Sequence, residues 1–261
     1  MEGGNRMAGI MEVVSLGPGD AALLTPQCRE ALAAAGRIVG YRRYLELVPP
    51  ELLAGKALVS TGMTGEMERA GAALDAALAG ERVAVVSSGD AGVYAMAGLV
   101  LELAAERGLL GELDIRVLPG VPALAAAAAL LGAPLTHDFA CVSLSDLLTP
   151  WETIERRLDA AAGADFVLVL YNPRSHKRDW QLPRALEIVA RHRGPATPVG
   201  LVRNAFRPGQ AVSVAGLGGL DPAQVDMLSI LVVGNSATRL AAGRMITPRG
   251  YLDKYGAERR G

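Results

Sequence analysis

Short apolar runs alternate along this chain with longer Ala/Leu-rich segments, and that alternation constrains the fold more than any other feature of the sequence. Residues 11–16, 37–41, 57–60, 82–87 and 113–118 read as strands, and residues 26–35, 67–78 and 91–106 as helices. Such an order predicts an α/β fold with a mostly parallel sheet covered on both faces. Val83, Ala84, Val85 and Val86 form a continuous apolar run, as a strand buried on both sides requires. In the second half, residues 139–144, 165–171, 197–204, 211–214 and 228–234 read as strands, and residues 123–131, 151–161 and 180–192 as helices. Gly209 and Gln210 lie between two short strands, which predicts a hairpin and a mixed C-terminal sheet. The turn at Pro119-Gly120 closes the fifth strand. The expected division is an N-terminal α/β domain over 12–120 and a C-terminal α/β domain over 121–251, with a ligand cleft between them. Residues 1–11 read as a flexible leader and 252–261 as a charged tail.

Composition narrows the function classes. The chain has 261 residues, enough for one large domain or two modest ones, and 51% are hydrophobic, which excludes a disordered chain. Lys and Arg number 26 against 27 Asp and Glu, so the basic excess of a nucleic-acid binder is missing and no nucleic-acid partner is expected. No apolar run of about 18 residues escapes interruption, so no membrane span is expected. The first residues carry no apolar signal-peptide core. Cys28 and Cys141 form no CxxC, and His137, His176 and His192 form no HxxxH, so no protein-held metal is expected. Together these features predict a globular protein of a reducing compartment, the cytoplasm.

The loops after the strands carry the small and polar residues. Gly17-Pro18-Gly19-Asp20-Ala21-Ala22 fits the loose dinucleotide pattern G-x-G-x-x-G/A. A dinucleotide site needs the helix to start at that loop, so that its N-terminus faces the pyrophosphate. Here Thr25 as N-cap and Pro26 at the first helical position signal a later start, and the second strand ends in Gly40-Tyr41-Arg42 rather than an acid. A tight structural turn is the plainer reading of that loop. In Ser87-Ser88-Gly89-Asp90-Ala91-Gly92-Val93-Tyr94, Asp90 reads either as a helix cap or as an acceptor for a ligand hydroxyl or amine. Pro119-Gly120-Val121-Pro122-Ala123 is the third such loop. All three follow strand C-termini, the side on which open α/β sheets bind ligands. Further on, Arg174-Ser175-His176-Lys177-Arg178 reads as a solvated basic face or as a site for a substrate with several carboxylates. His137 beside Asp138 reads as a proton donor or acceptor, or as a satisfied structural histidine.

These loops, in this order, resemble the tetrapyrrole methylase family, the class III S-adenosylmethionine-dependent methyltransferases. The resemblance rests on Gly17-Pro18-Gly19-Asp20 with Leu24-Thr25-Pro26, Ser88-Gly89-Asp90, Pro119-Gly120 and Val233-Gly234, and spans about residues 12–251. The segments at residues 86–96, His137-Asp138-Phe139, residues 143–151, Leu170-Tyr171-Asn172-Pro173-Arg174-Ser175, Val202-Arg203-Asn204-Ala205, Gly234-Asn235-Ser236 and Thr247-Pro248-Arg249-Gly250-Tyr251 are similar to the corrin branch that methylates C-17. The chain departs from the family at Ala91, where a proline is common, and at Pro122, where relatives often carry Thr or Ser.

The resemblance implies S-adenosyl-L-methionine as cofactor, held in the cleft between two α/β domains by Ser88, Gly89, Asp90, Val93, Pro122, Ala123, Asn172 and Ala205, largely through backbone groups. It implies a homodimer, and a tetrapyrrole substrate, precorrin-3B or cobalt-factor III, near Gly17, Pro18, Gly19 and Asp20. Arg42, Arg43, Arg174, Lys177 and Arg203 are the residues available to meet substrate carboxylates. Methylation at C-17 with ring contraction to the precorrin-4 level also moves protons, for which Asp20, His137 and Asp146 are the candidates. The competing readings are a methyltransferase for another corrin-ring carbon, a diphthamide-type methyltransferase, a nucleotide-binding dehydrogenase and a non-catalytic binding module.

Overall fold

The structure, a computed structural model, describes residues 9–62, 64–175 and 177–255. His176 and most of the expected leader and tail, residues 1–8 and 256–261, lie outside the described residues. The chain divides into two compact units, one ending at Ala123 and the other beginning at Leu124.

The first unit is built on five parallel strands: β1 (Ile10–Ser15), β2 (Arg37–Tyr41), β3 (Ala57–Thr61), β4 (Arg82–Ser87) and β5 (Asp114–Leu118). Their order across the sheet is β3-β2-β4-β1-β5. Ile10, which the sequence reading left in the leader, is the first residue of β1, and Met11 after it is buried. The helices are α1 (Pro26–Ala34), α2 (Arg42–Leu45), α3 (Pro50–Leu53), α4 (Glu66–Leu78) and α5 (Met96–Glu106). Alternation along β1 and β4 sends Met11, Val13, Val83 and Val85 to one face, packed with Ala73, Leu74, Ala97 and Val100 of α4 and α5. Val14, Ala84 and Val86 point to the other, packed with Cys28 and Leu32 of α1. The crossover from β1 to β2 passes over β4, and the one from β4 to β5 passes over β1, so these two crossovers run in opposite directions. Right-handed connections then fall on opposite faces, and a crevice opens beyond the C-terminal ends of β4 and β1.

Helix starts follow local chemistry. Thr25 caps α1 through its Oγ1, which accepts from the Cys28 N–H at 3.2 Å, with Pro26 first in the helix. The helix expected over 91–106 begins only at Met96. Residues 91–95 form a loop in which Tyr94 takes a left-handed conformation, φ 51°, and the Ala97 N–H reaches back to the Ala91 carbonyl. The two short helices between β2 and β3 carry no clear periodic signal and were not expected.

The second unit opens with α6 (Ala123–Leu131), whose first residue closes the first unit. It continues through β6 (Gly132–Ala133), β7 (Phe139–Ser143), α7 (Trp151–Gly163), β8 (Val167–Tyr171), α8 (Gln181–Ala190), β9 (Pro198–Arg203) and β10 (Ala211–Gly216). It ends with β11 (Ser229–Val233), β12 (Arg239–Ala241), β13 (Arg244–Ile246) and α9 (Tyr251–Tyr255). The main sheet runs β10-β9-β11-β8-β7, with β7 and β8 parallel and the other pairs antiparallel. The mixed sheet and the β9–β10 pairing match the sequence reading. Asp165, expected to begin a strand, turns the chain instead with φ 62°. A small sheet, β12-β13-β6, was not expected; its strands are two or three residues long, too short to show a period.

Gly200 in β9 is where α6 meets the sheet. A Cβ there would lie 2.5 Å from both Leu131 methyls and 2.8 Å from Met245 Sδ. We expect Gly200→Ala to cost about 1–3 kcal/mol, the usual penalty for overpacking a tight core. Urea unfolding checks this, and an unchanged midpoint would mean that the α6 contact yields freely.

Candidate active site

The three glycine-rich loops of the first unit follow β4, β1 and β5, which are neighbours in the sheet. The structure ties them into one assembly. Gly17 and Gly89 exchange two backbone hydrogen bonds, Gly17 N–H to Gly89 O at 3.0 Å and Gly89 N–H to Gly17 O at 2.7 Å. Both have positive φ, 67° and 70°, a conformation that favours glycine. Beneath them the Ser15 hydroxyl donates to the Leu118 carbonyl at 2.6 Å and accepts from the Ala91 N–H at 2.8 Å, so one side chain links all three strand ends.

Both carboxylate oxygens of Asp90 are taken up by loop backbone. Its Oδ1 accepts from the Gly92 N–H at 2.8 Å and its Oδ2 from the Gly120 N–H at 3.0 Å. It does not cap α5, which starts later. It is a staple between the second and third loops. A Cβ on Gly89 would face the Ala123 nitrogen at 3.6 Å and Pro122 Cα at 3.9 Å, so Gly89, Asp90, Pro122 and Ala123 stand together. Ser88 and Val93 are part of the same loop and are half-buried. Asp20 is exposed, and its carboxylate caps a 3-10 turn by accepting from the Ala22 N–H at 2.8 Å. Pro18 beside it is buried. Arg42 and Arg43 are exposed on α2, directly after β2. The dinucleotide pattern fails as the sequence predicts: α1 starts at Pro26, well past the loop, and no acid ends β2. Burial pushes the Cys28 thiol above its ordinary value.

In the second unit β7, β8 and β9 end at one edge of the mixed sheet. Asn172, after β8, takes φ 50° and donates through Nδ2 to Ser143 Oγ at 3.0 Å. Asp146, after β7, is half-buried, and its Oδ2 accepts from Gln181 Nε2 at 2.9 Å. Arg178, read in the sequence as one of a basic run, is turned inward. It donates to the carbonyls of Leu144 and Asn172, and burial pushes its guanidinium below the ordinary value against the opposing charge of Asp146. Arg174 donates to the Pro222 carbonyl at 3.0 Å. Arg203 pairs with Asp226 at 2.7 Å, and Ala205 follows it in a turn where Asn204 and Phe206 both have positive φ. Arg174 and Arg203 thus already have protein partners, unlike the free cations that the sequence reading expected. Lys177 is exposed.

His137 is not with them. It precedes β7, whereas Asp146 follows it, and a five-residue strand, about 17 Å long, lies between. His137 belongs to a pocket of about 480 Å³ at the opposite edge, lined also by Asp138, Asp165, Asn235, Arg249 and Asp253. Its Nδ1 accepts from the Asp138 N–H at 2.8 Å. The structure therefore does not bring His137 and Asp146 together as one proton-transfer group. Sequence reasoning missed Ser15, Ser143, Tyr171, which accepts from the Leu124 N–H, and Gln181. Only their place at strand ends and the start of a helix could have flagged them.

The family model of the Tetrapyrrole (Corrin/Porphyrin) Methylases matches residues 12–221. The chain belongs to this family. It is 48% identical to a probable cobalt-factor III C(17)-methyltransferase of Salmonella typhimurium, over 93% of this chain and 99% of that one. It is 41% identical to a precorrin-3B C(17)-methyltransferase of Sinorhizobium sp., over 94% and 98% of the two chains. Against several other relatives it spans about half their length. The crystal structure of the methyltransferase CobJ superposes with a TM-score of 0.87 at 44% identity, covering 92% of this chain and all of that one. A uroporphyrin-III C-methyltransferase of Thermus thermophilus, solved with S-adenosyl homocysteine, gives 0.64 at 25% identity, covering 87% and 97%. Among the described residues, no helix is long and apolar enough to cross a membrane.

Two carboxyls at this second sheet set an acid limit. Burial alone would raise Asp226 and Asp165, but hydrogen bonds from Arg203, Ser229 and the Leu228 N–H to the first, and from Ser236 to the second, outweigh it and hold both below 3.8. A carboxyl lowered on folding contributes stability that is complete above 3.8 and lost as pH falls through the lower folded-state value. Asp226→Asn should flatten the acid-side loss seen in a pH series of thermal unfolding. An unchanged slope would mean that the Arg203 pairing is not its source.

Proposed function

We propose that this chain is a methyltransferase of cobalamin biosynthesis that moves a methyl group from S-adenosylmethionine to C-17 of precorrin-3B or cobalt-factor III, with contraction of the ring to the precorrin-4 level. The observation that carries the proposal is the 48% identity with the Salmonella relative, which extends over nearly the whole of both chains. The cobalt of a cobalt-factor is substrate cargo.

The residues fit such a cofactor. The first unit offers what a neutral-to-cationic nucleoside ligand needs: small residues, a glycine at φ 70° that brings backbone close, and an aspartate fixed by two N–H donors. Ser88, Gly89, Asp90, Val93, Pro122 and Ala123 would hold it there. Asn172 and Ala205 are assigned to the same cofactor by family resemblance. When bound, S-adenosylmethionine supplies a methyl group already activated on a sulfonium. The protein's own work is then to orient, to exclude water and to move protons, which needs no catalytic dyad. Gly17, Pro18 and Gly19 face the substrate in this reading, and Arg42, with Arg174 and Arg203 where their present partners yield, meets its carboxylates. Asp20 and Asp146 handle the protons of ring contraction. His137, at the far edge of its sheet, is left without a partner for that step. We further propose a homodimer in the cytoplasm, on the strength of the family resemblance.

The test is turnover. Purified protein is incubated with S-adenosylmethionine and either metal-free precorrin-3B or cobalt-factor III, and products are followed by mass spectrometry. Formation of S-adenosylhomocysteine with one methyl gained by either substrate supports the proposal, and the better substrate names the route. Absence of both with both substrates contradicts it. Asp20→Ala should lower kcat at least about 100-fold while changing S-adenosylhomocysteine affinity less than about twofold. Equal loss of both would remove Asp20 from the chemistry.

A further inference from the structure

Gln181 is an oddity of the second unit. It opens α8 at 2% exposure, its Nε2 donates to Asp146 Oδ2, and its Oε1 is buried without a hydrogen-bond partner. A buried acceptor left unsatisfied costs stability, so its persistence asks for a reason. An ionised Asp146 only accepts, which forces the amide nitrogen toward it and strands the oxygen. A protonated Asp146 carries one O–H donor, which that oxygen can take.

We propose that Gln181 is a positioning residue that holds Asp146 in both of its protonation states. With the carboxylate ionised, Nε2 donates to Oδ2. When one proton passes from the tetrapyrrole to Oδ2, a half-turn of the amide presents Oε1, which accepts the new O–H. Nitrogen and oxygen of an amide are nearly the same size, so the half-turn needs no repacking. When Asp146 releases the proton to product or solvent, the amide turns back; no other bond forms or breaks. This inference rests on the reading of Asp146 as a proton carrier.

The surrounding charges are few and mostly committed. Arg178 feels the charge of Asp146 and is fixed on the Leu144 and Asn172 carbonyls. Arg174 is turned to Pro222, and Arg184 of α8 pairs with Glu155 of α7 and with Glu187. Lys177 and Asp179 are exposed, and Glu152 begins α7. Gln181 is thus the neutral group through which the state of Asp146 is sensed.

The experiment is the pH profile of kcat, with KM for S-adenosylmethionine, for the wild type, Q181L, Q181E and D146N. Q181L removes the partner of both protonation states, and Q181E adds a second carboxyl that shares the proton of Asp146. Q181E should move the acid limb to higher pH by about one pH unit, with KM changed less than about twofold in both variants. Q181L should lower kcat about tenfold. A folded Q181E whose profile superimposes on the wild type, merely scaled down, would overturn the inference and leave Gln181 structural. A wild-type profile in D146N would instead overturn the reading of Asp146. Should Q181E not fold, the side-chain amide resonance of Gln181 in the wild type decides. It should titrate with the Asp146 carboxyl, and a resonance blind to that titration overturns the inference.

Discussion

The pair of backbone hydrogen bonds between Gly17 and Gly89 is the constraint from which the rest of the first unit's site follows. The two residues form an isolated antiparallel bridge between their loops. Both residues also take left-handed backbone, and a Cβ on Gly17 would stand 2.8 Å from the Leu23 carbonyl. Ser15 below and Asp90 above then tie in the third loop through Leu118 and Gly120. Gly120 is equally crowded, since a Cβ there would meet Ser15 Cβ at 2.5 Å. The outcome is a rigid rim at the sheet's crevice made of main chain and small residues. Such a rim can position a ligand by shape and backbone polarity while contributing no nucleophile of its own, which is what transfer from an activated sulfonium asks.

The second unit reaches a similar end by different means. Its sheet is mixed, so strand ends of both kinds meet at each edge, and the loops there are held by side chains. Arg178 bridges the ends of β7 and β8, Ser143 and Asn172 pair across them, and Gln181 takes Asp146. Polar groups this deep must be satisfied, and nearly all are. The same logic at the opposite edge seats the buried Arg193 on the carbonyls of Ala162 and Phe166 and on Asp165. That knot is structural, and the pocket beside it gathers His137 away from the residues it was grouped with in sequence.

Much of this was legible in the sequence. The parallel sheet, the mixed sheet and the late start of α1 at Thr25-Pro26 all follow from periodicity and cap chemistry. What was not legible has physical causes. Residues 91–95 carry helix-forming alanines, yet Tyr94 in left-handed backbone and the hold of Asp90 on Gly92 and Gly120 delay α5. Arg178 looks like one of several solvated cations until tertiary structure turns it inward. His137 and Asp146 seem near in sequence, but an extended strand between them is long enough to put them at opposite edges. Gln181 has no sequence signature at all, because its significance is the burial of one oxygen.

The central claim is that the loops joined by Gly17, Gly89, Asp90 and Gly120 serve an adenosyl sulfonium cofactor and not a dinucleotide. Calorimetric titration of the intact protein with S-adenosylhomocysteine, and separately with NAD, tests it most directly, with Gly120→Ala as the variant that crowds the rim. The account predicts saturable binding of S-adenosylhomocysteine alone, weakened in the variant. Saturable binding of NAD without S-adenosylhomocysteine would contradict it.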